Sequence, residues 1–135
     1  FVCDVYLSLW ERAAREALPD GRQASQAARA CRALGAFARI FPAATPRFAL
    51  CEGRRLLLRG RTRSAMRSWR RALDAAARLR MPYDRAAAHL WLGSNLPREH
   101  PVRALHLTLA AHLSEAIAAG PMAARARGAL AGAST

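Results

Sequence analysis

A chain of 135 residues is long enough for one domain with a hydrophobic core and too short for two ordinary domains. Alanine (33) and leucine (18) dominate the composition, whereas valine, isoleucine and threonine together number 9, which favours an all-α fold over a β-rich one. All 22 basic residues are arginine and the formal net charge is +13; the absence of lysine excludes the lysine-dependent sites of P-loop ATPases, protein kinases and Schiff-base enzymes.

Six helices are predicted along the chain from hydrophobic periodicity, caps and prolines. They span residues 2–18, 21–41, 46–59, 62–80, 83–95 and 101–119. Leu18-Pro19-Asp20-Gly21 separates the first two, with Asp20 and Gln23 placed as a capping box. Gly60 ends the third helix, and Thr62 is expected to cap the fourth.

A regular proline spacing predicts three repeats. Pro42, Pro82 and Pro121 lie 40 and 39 residues apart, and a proline just beyond a helix is a common terminator. We therefore expect a helical-repeat domain over residues 1–120, with units at about 1–42, 43–82 and 83–120. Residues 121–135 are expected to form a frayed or disordered tail, and the chain is expected to be cut from a longer polypeptide.

The fourth predicted helix is amphipathic. Its apolar face, centred on Trp69, is expected to be buried against the third and sixth helices, because short helices are not stable alone. On the opposite face, Asp74 lies four residues from both Arg70 and Arg78, which is the spacing of helix ion pairs.

Small and large residues in the middle of the chain follow a tetratricopeptide pattern. The intervals are 7, 5, 4 and 3 residues between five positions, namely Gly53, Gly60, Ala65, Trp69 and Ala72. Small residues there let helix backbones approach closely around the indole, and Gly60 permits a tight reversal. The expected fold is an α-solenoid of about three helix-turn-helix repeats, a tetratricopeptide-like right-handed superhelix with these five residues in repeat packing.

A longer stretch, residues 37–93, extends this pattern. Its sequence includes Phe37-Ala38-Arg39-Ile40-Phe41-Pro42, Trp69-Arg70-Arg71-Ala72-Leu73, Met81-Pro82-Tyr83-Asp84 and Leu92-Gly93. It resembles the C-terminal helical-repeat region of multidomain signalling proteins, in which a class III adenylyl cyclase or a protein kinase domain is joined to an AAA-type ATPase module. The resemblance implies an accessory, regulatory or partner-binding segment, because it includes none of the catalytic residues of those families.

No catalytic, metal or cofactor site is indicated by the sequence. Cys3, Cys31 and Cys51 are far apart and form no C-x-x-C pair, so reduced, mostly buried thiols in an intracellular protein are expected. The four histidines lack metal-ligand spacing, and the nine carboxylates show no poised pair. No apolar run is long enough to span a membrane. The segment is expected to be cytoplasmic, without a cofactor, and not itself an enzyme.

The third predicted helix carries the candidate partner-binding residues. In tetratricopeptide arrays the first helix of each repeat lines the concave groove. Arg47, Leu50, Arg54 and Leu57 are spaced by 3, 4 and 3 residues and therefore share one helix face. That face would offer two charges and two apolar anchors to an acidic peptide, a protein partner or another domain of the same polypeptide.

The preferred function is a non-catalytic protein-interaction or regulatory scaffold within a larger intracellular signalling protein. The alternative is an Arg-rich nucleic-acid-binding helical module that uses one stripe, namely Arg63, Arg67, Arg70 and Arg78. The scarcity of aromatic residues outside the expected core argues against base stacking. A third explanation of the arginines is a solvated helix face in a GC-rich genome, since alanine and arginine together fill 55 of the 135 positions.

Overall fold

The computed structural model describes residues 2–132, which are helical apart from short turns. No strand occurs in this part of the chain, so the predicted all-α fold is confirmed. The α-helices are α1 (Val2–Arg15), α2 (Gly21–Ile40), α3 (Thr45–Leu58), α4 (Thr62–Arg78), α5 (Pro82–Ser94), α6 (Arg103–Ala116) and α7 (Gly120–Leu130). A 3-10 turn, Pro42–Ala44, joins α2 to α3. The six predicted helices correspond to α1–α6, with ends that differ by at most three residues.

The helix α7 occupies most of the segment predicted to be a frayed tail. Pro121 stands in the first turn of α7, a position suited to proline because no backbone N–H is needed there. Met122, Ala123 and Ala126 are buried, and α7 contacts α5 and α6. The prediction of a frayed tail is corrected accordingly. Residues 133–135 of that tail lie outside the described part of the chain.

The chain is organised in two compact units, Phe1–Ser68 and Trp69–Thr135, with the boundary inside α4. In the first unit α1, α2 and α3 contact one another, and in the second unit α5, α6 and α7 do so. The division of the sequence into three repeats stays a prediction.

The core of the first unit combines one face of α1 with one face of α2. Cys3, Leu7 and Trp10 follow one another along α1 at helical spacing and are buried. They pack against buried residues of α2 and α3, including Ala27, Cys31, Leu34, Ala38 and Cys51.

The side chain of Asp20 accepts a hydrogen bond from Trp10 and does not cap α2. The indole Nε1 of Trp10 donates a hydrogen bond to Asp20 Oδ2 at 2.9 Å. Asp20 occupies the N-cap position of α2 but makes no side-chain capping bond. The predicted capping box with Gln23 is therefore wrong, because the Trp10 indole competes for the same carboxylate.

The second unit packs large side chains among alanines. Trp69 is fully buried and stacks on Trp91 of α5, with ring centroids 5.5 Å apart. The sequence predicted that Trp69 would pack against the third and sixth helices, and it did not predict this stack with Trp91. Arg103 of α6 donates a hydrogen bond to the carbonyl oxygen of Gly93 at 3.0 Å, which satisfies the C-terminal end of α5.

In each unit a helical glycine lies against a large side chain of the next helix. A Cβ on Gly35 of α2 would lie 2.8 Å from Phe48 Cε1, and one on Gly93 of α5 would lie 2.8 Å from Leu107 Cγ. Real Cβ atoms essentially never approach so closely. Both glycines therefore allow neighbouring helices to approach.

Several helices end in the same Schellman motif. After α3, the Arg61 N–H binds the Leu56 carbonyl and the Gly60 N–H binds the Leu57 carbonyl, both at 2.9 Å. Gly60 has φ +75°, as predicted for a tight reversal. The corresponding residues after α1, α4 and α6 have φ of 53°, 53° and 56° although they are not glycine, namely Ala17, Arg80 and Ala118.

Candidate partner-binding groove

A groove of about 460 Å³ lies between α2 and α3 in the first unit. Its volume falls within the usual range of ligand pockets, roughly 300 to 1,000 Å³. The α2 wall contributes Arg32 and Arg39, which are seven residues apart and share one helix face. The α3 wall contributes Phe48, Glu52 and Arg55, at intervals of four and three residues.

The apolar part of the groove depends on Gly35. The Phe48 ring lies over Gly35, in the space that any β-carbon would occupy. Small side chains of α2 line the rest of that wall, at Ala28 and Ala36. The result is an aromatic surface between charged groups, which is suited to an apolar side chain of a partner.

The guanidiniums in the groove differ in their partners. Glu52 holds Arg55 in a bidentate ion pair, with N–O distances of 2.6 and 3.0 Å. The hydrogen bond with Glu52 raises the pKa of Arg55 above its usual value. Arg32 and Arg39 are exposed, and neither forms an ion pair with any described residue. An anionic ligand would therefore meet two available positive charges on the α2 wall.

The predicted partner-binding face of α3 is directed largely into the first unit. Leu50 is 4% exposed and Arg54 is 9% exposed, while Leu57 is half-buried. Arg47 Nη1 lies 3.8 Å from Asp4 Oδ2 of α1. These residues share a face of α3 as predicted, and both arginines of that face contact carboxylates of α1.

Arg54 is the centre of a polar network with α1. Its Nε and Nη2 donate to the two carboxylate oxygens of Glu11 at 2.9 and 3.1 Å. Its Nη1 donates to Asp4 Oδ1 at 3.0 Å, and its Nη2 also donates to Ser8 Oγ at 3.2 Å. Burial alone would lower the pKa of Arg54, but the hydrogen bond with Glu11 and the nearby carboxylates raise it. A partner would have to displace these α1 side chains to reach the guanidinium.

The five predicted repeat-packing residues occupy the positions that their sizes favour. Gly53 and Ala65 are buried in the first unit, and Trp69 and Ala72 are buried in the second. Gly60 forms the turn before α4. Their role in a tetratricopeptide repeat stays a prediction.

The exposed face of α4 carries unneutralised charge. Arg63, Arg67, Arg70 and Arg78 are all exposed. Asp74 was predicted to pair with Arg70 and Arg78, but in the described chain no ion pair joins them. Arg67 instead donates a hydrogen bond to Ser64 Oγ at 3.1 Å.

Two histidines face each other between α5 and α6 in the second unit. The Nδ1 atoms of His89 and His106 are 2.9 Å apart, so one ring donates a proton and the other accepts it. Burial lowers the pKa of His89 to about 4, and the charges of His106 and Arg85 act in the same direction. Burial, followed by the charges of Arg70 and His100, also lowers the pKa of His106. Both imidazoles are therefore neutral at pH 7.

No known protein family, no curated protein and no solved structure matches this chain. Among residues 2–132, no group of three or more histidine, cysteine, aspartate or glutamate side chains is placed to hold a metal ion. The described helices also include none with the length and hydrophobicity needed to cross a bilayer.

The groove residues Arg32, Arg39 and Phe48 were not among the predicted site residues. Their spacing within α2 and α3 was visible in the sequence. What the sequence did not indicate was that the opposite side of α3 meets Asp4 and Glu11, which attract Arg54 and turn that face inwards.

Proposed function

We propose that this chain is a non-catalytic helical scaffold that binds an acidic segment of a protein partner in the groove between α2 and α3. The observation that carries the proposal is the combination of Arg32 and Arg39 on one wall with the Phe48 ring on the other. A guanidinium without an internal carboxylate partner binds an external carboxylate through charge-assisted hydrogen bonds.

The helix geometry sets the spacing of the acidic residues. Arg32 and Arg39 are separated along α2 by about 10 Å, at 1.5 Å per residue. A peptide in the polyproline II conformation has about three residues per turn and rises about 3.1 Å per residue, so side chains three positions apart lie about 9 Å apart on the same side. The matching segment has two carboxylates three positions apart, with an apolar side chain between them for Phe48.

We also propose a tetratricopeptide-like arrangement of the helices. The chain would form three tetratricopeptide-like helix-turn-helix repeats with a right-handed superhelical sense, within a larger cytoplasmic signalling protein. Packing of adjacent helices, such as α1 with α2 and α5 with α6, supports this arrangement. An experimental structure in which the three helix pairs do not stack in order would contradict it.

Nucleic-acid binding is the alternative function, and the observation that favours it is on α4. Arg63 and Arg67 are exposed one helical turn apart in the first unit, and Arg70 and Arg78 are exposed in the second. Phosphate binding through such a stripe would weaken steeply as the salt concentration rises.

A fluorescence-anisotropy titration separates the two functions. The probes are a short peptide containing Glu-Leu-Leu-Glu, a scrambled peptide containing Glu-Glu-Leu-Leu, and a single-stranded oligonucleotide, each at two salt concentrations. We expect the Glu-Leu-Leu-Glu peptide to bind more tightly than its scrambled form. Equal affinities for the two peptides would show that charge alone is recognised and would contradict the proposed groove.

Matched charge reversals locate the site. R32E/R39E should weaken peptide binding by at least about tenfold, since two charge-assisted contacts are lost. R63E/R67E makes the same charge change on the exposed face of α4 and should alter peptide affinity by less than about threefold. The nucleic-acid alternative predicts the reverse: tight oligonucleotide binding that R63E/R67E abolishes.

A further inference from the structure

Three thiols from three helices meet in the interior of the first unit. Cys3 of α1, Cys31 of α2 and Cys51 of α3 are all buried and unbonded, as predicted. The Sγ atoms of Cys3 and Cys31 are 3.0 Å apart. Cys51 forms a hydrogen bond with Cys3 and also lies 3.7 Å from Asp4 Oδ1. Since a disulfide bond is about 2 Å long, the first two sulfurs need to approach by only about 1 Å.

All three thiols are almost fully buried, with Cys31 1% exposed and Cys3 3% exposed, but they differ in their position relative to the α2–α3 groove. Cys31 lines the α2–α3 groove, whereas Cys3 and Cys51 do not. The hydrogen bond with Cys31, together with burial, raises the pKa of Cys3 to about 12. The hydrogen bond with Cys3, together with burial, also raises the pKa of Cys51. Because thiolates are the reactive form, neither Cys3 nor Cys51 is suited to attack an external reagent first.

The charge of the groove favours anionic reagents at Cys31. Arg32 and Arg39 outnumber the single carboxylate of Glu52, which is already paired with Arg55. A small anionic disulfide is therefore attracted to the groove whose wall includes Cys31, and a small opening of that wall brings the buried thiol into reach.

We propose that Cys3 and Cys31 form a disulfide by exchange with a small anionic disulfide that enters the α2–α3 groove. The Cys31 thiolate attacks one sulfur of the reagent, whose S–S bond breaks and releases one thiolate. The Cys3 thiol then loses its proton and attacks the sulfur of Cys31 in the mixed disulfide, releasing the second thiolate. Two protein thiols are oxidised, and one external disulfide is reduced to two thiols that take up the two protons.

The bond would join α1 to α2 covalently and close a loop across the turn between them. This inference does not require peptide binding in the groove, so its failure would leave the proposed function in place. It concerns the same opening, however, and bound peptide is expected to slow the reaction.

Peptide mapping of the full chain after incubation with glutathione disulfide tests the pairing. We expect an intramolecular Cys3–Cys31 bond in the wild type and in Cys51→Ala, with the protein losing two hydrogens in intact mass. We expect no such bond in Cys31→Ser. A dominant bond that includes Cys51, or no internal bond in the folded wild type under conditions that oxidise the urea-unfolded chain, would overturn the proposal.

The order of attack is tested by trapping the mixed disulfide. Cys3→Ser should accumulate the glutathione adduct on Cys31, and circular dichroism verifies that this variant is folded. An adduct on Cys51 instead would overturn the order. If Cys3→Ser does not fold, rapid acid quenching of the wild-type reaction gives the same information, because the transient adduct is mapped directly.

The role of the groove charge is tested by comparing reagents. For each reagent, the rate of oxidation of the folded protein is divided by the rate for the unfolded chain. This normalised rate should be at least about tenfold higher for glutathione disulfide than for the cationic disulfide cystamine. The variant R32Q/R39Q should reduce this ratio to near one. Equal wild-type rates with the two reagents would exclude entry of an anionic reagent through the groove.

Discussion

The two units of the chain have interiors of different chemistry. In the first unit a charged guanidinium, Arg54, lies at the contact between α3 and α1 and is satisfied by Glu11 and Asp4. In the second unit the polar groups at the contact between α5 and α6 are the neutral imidazoles of His89 and His106. The first contact contains a paired cation, and the second contains a neutral histidine pair.

This difference follows from where the few acidic residues lie. The carboxylates of α1 are available to neutralise an arginine at the neighbouring helix. In the second unit the histidine pair is acted on by two cations, Arg85 and Arg70. No carboxylate is among the groups that shift the pKa values of the two histidines, so a protonated imidazole would lack a compensating anion from these groups. The same alanine-rich composition thus gives two units that should respond differently to loss of a charge and to acid.

The largest expected effect is removal of the buried charge from the first unit. Arg54→Met should destabilise that unit by about 3 kcal/mol, because Glu11 and Asp4 lose the cation that compensates their partial burial. Hydrogen exchange measured by mass spectrometry should show lost protection in α1 and α3.

The matched control for this substitution is Arg55→Met. The partner of Arg55 is Glu52 of the same helix, and the pair is nearer to solvent, so its loss should cost less than about 1 kcal/mol. Equal destabilisation by both substitutions would mean that the Arg54 network has no special role.

Acid is the corresponding perturbation of the second unit. The pKa of His89 is lowered from 6.5 to about 4 in the folded chain, so the folded state resists protonation. Stability is fully present above pH 6.5 and is lost as the pH falls from 6.5 towards 4, with roughly 2 to 3 kcal/mol gone at pH 4.5. His106 and Arg85 are the charges that act on His89, and Arg70 and His100 are the charges that act on His106.

Hydrogen exchange of α5 and α6 between pH 7.5 and 4.5, corrected for the intrinsic pH dependence of exchange, measures this loss. The variant His89→Gln should flatten the pH dependence of those amides. If the slope persists in His89→Gln, the histidine pair is not its source.

The close approach of helices gives a smaller expected effect. Gly93→Ala should destabilise the second unit by about 1 to 2 kcal/mol, because the new methyl group clashes with the branch carbon of Leu107. The cost of this clash is larger than the gain in helix propensity. Gly35→Ala should cost less, because the Phe48 ring edge is able to swing aside. Gly128→Ala is the control: its Cβ meets nothing within 4 Å, so it should stabilise α7. Urea titration followed by hydrogen exchange measures all three, and stabilisation by Gly93→Ala would contradict the predicted clash.

The smallest effect is expected at the helix ends and is common to both units. Ala17→Gly and Ala118→Gly should each stabilise by about 0.5 kcal/mol, because glycine adopts positive φ without the steric penalty of a Cβ. Ala14→Gly, inside α1, should destabilise by a similar amount. Thermal unfolding measures these changes, and a loss of stability in both turn variants would contradict the interpretation.

The sequence predicted the helices well because their limits are set locally. Proline at residues 42, 82 and 121 interrupts one helix and begins the next element, and Gly60 supplies the left-handed residue that closes α3. The error at α7 came from assigning Pro121 only the first of these roles. The turn at Ala17 carried no glycine signal, although its geometry matches that of Gly60.

The candidate site was predicted less well, since side chains distant in sequence determine it. The spacing of Arg47, Leu50, Arg54 and Leu57 placed them on one helix face, but the carboxylates of α1 bind the two arginines of that face. The opposite face of α3 then lines the groove with Phe48. Nothing local in α3 distinguishes these two outcomes.

By itself, the sequence determined an all-α chain, the positions of six of its helices and the burial of Trp69, because composition, caps and helical periodicity act within a few residues. Only the tertiary structure decided that Arg54 meets Glu11, that Cys3 meets Cys31, and that His89 meets His106. Each of these pairs joins different helices, and the contact depends on which helix faces pack together, a property that local spacing does not encode.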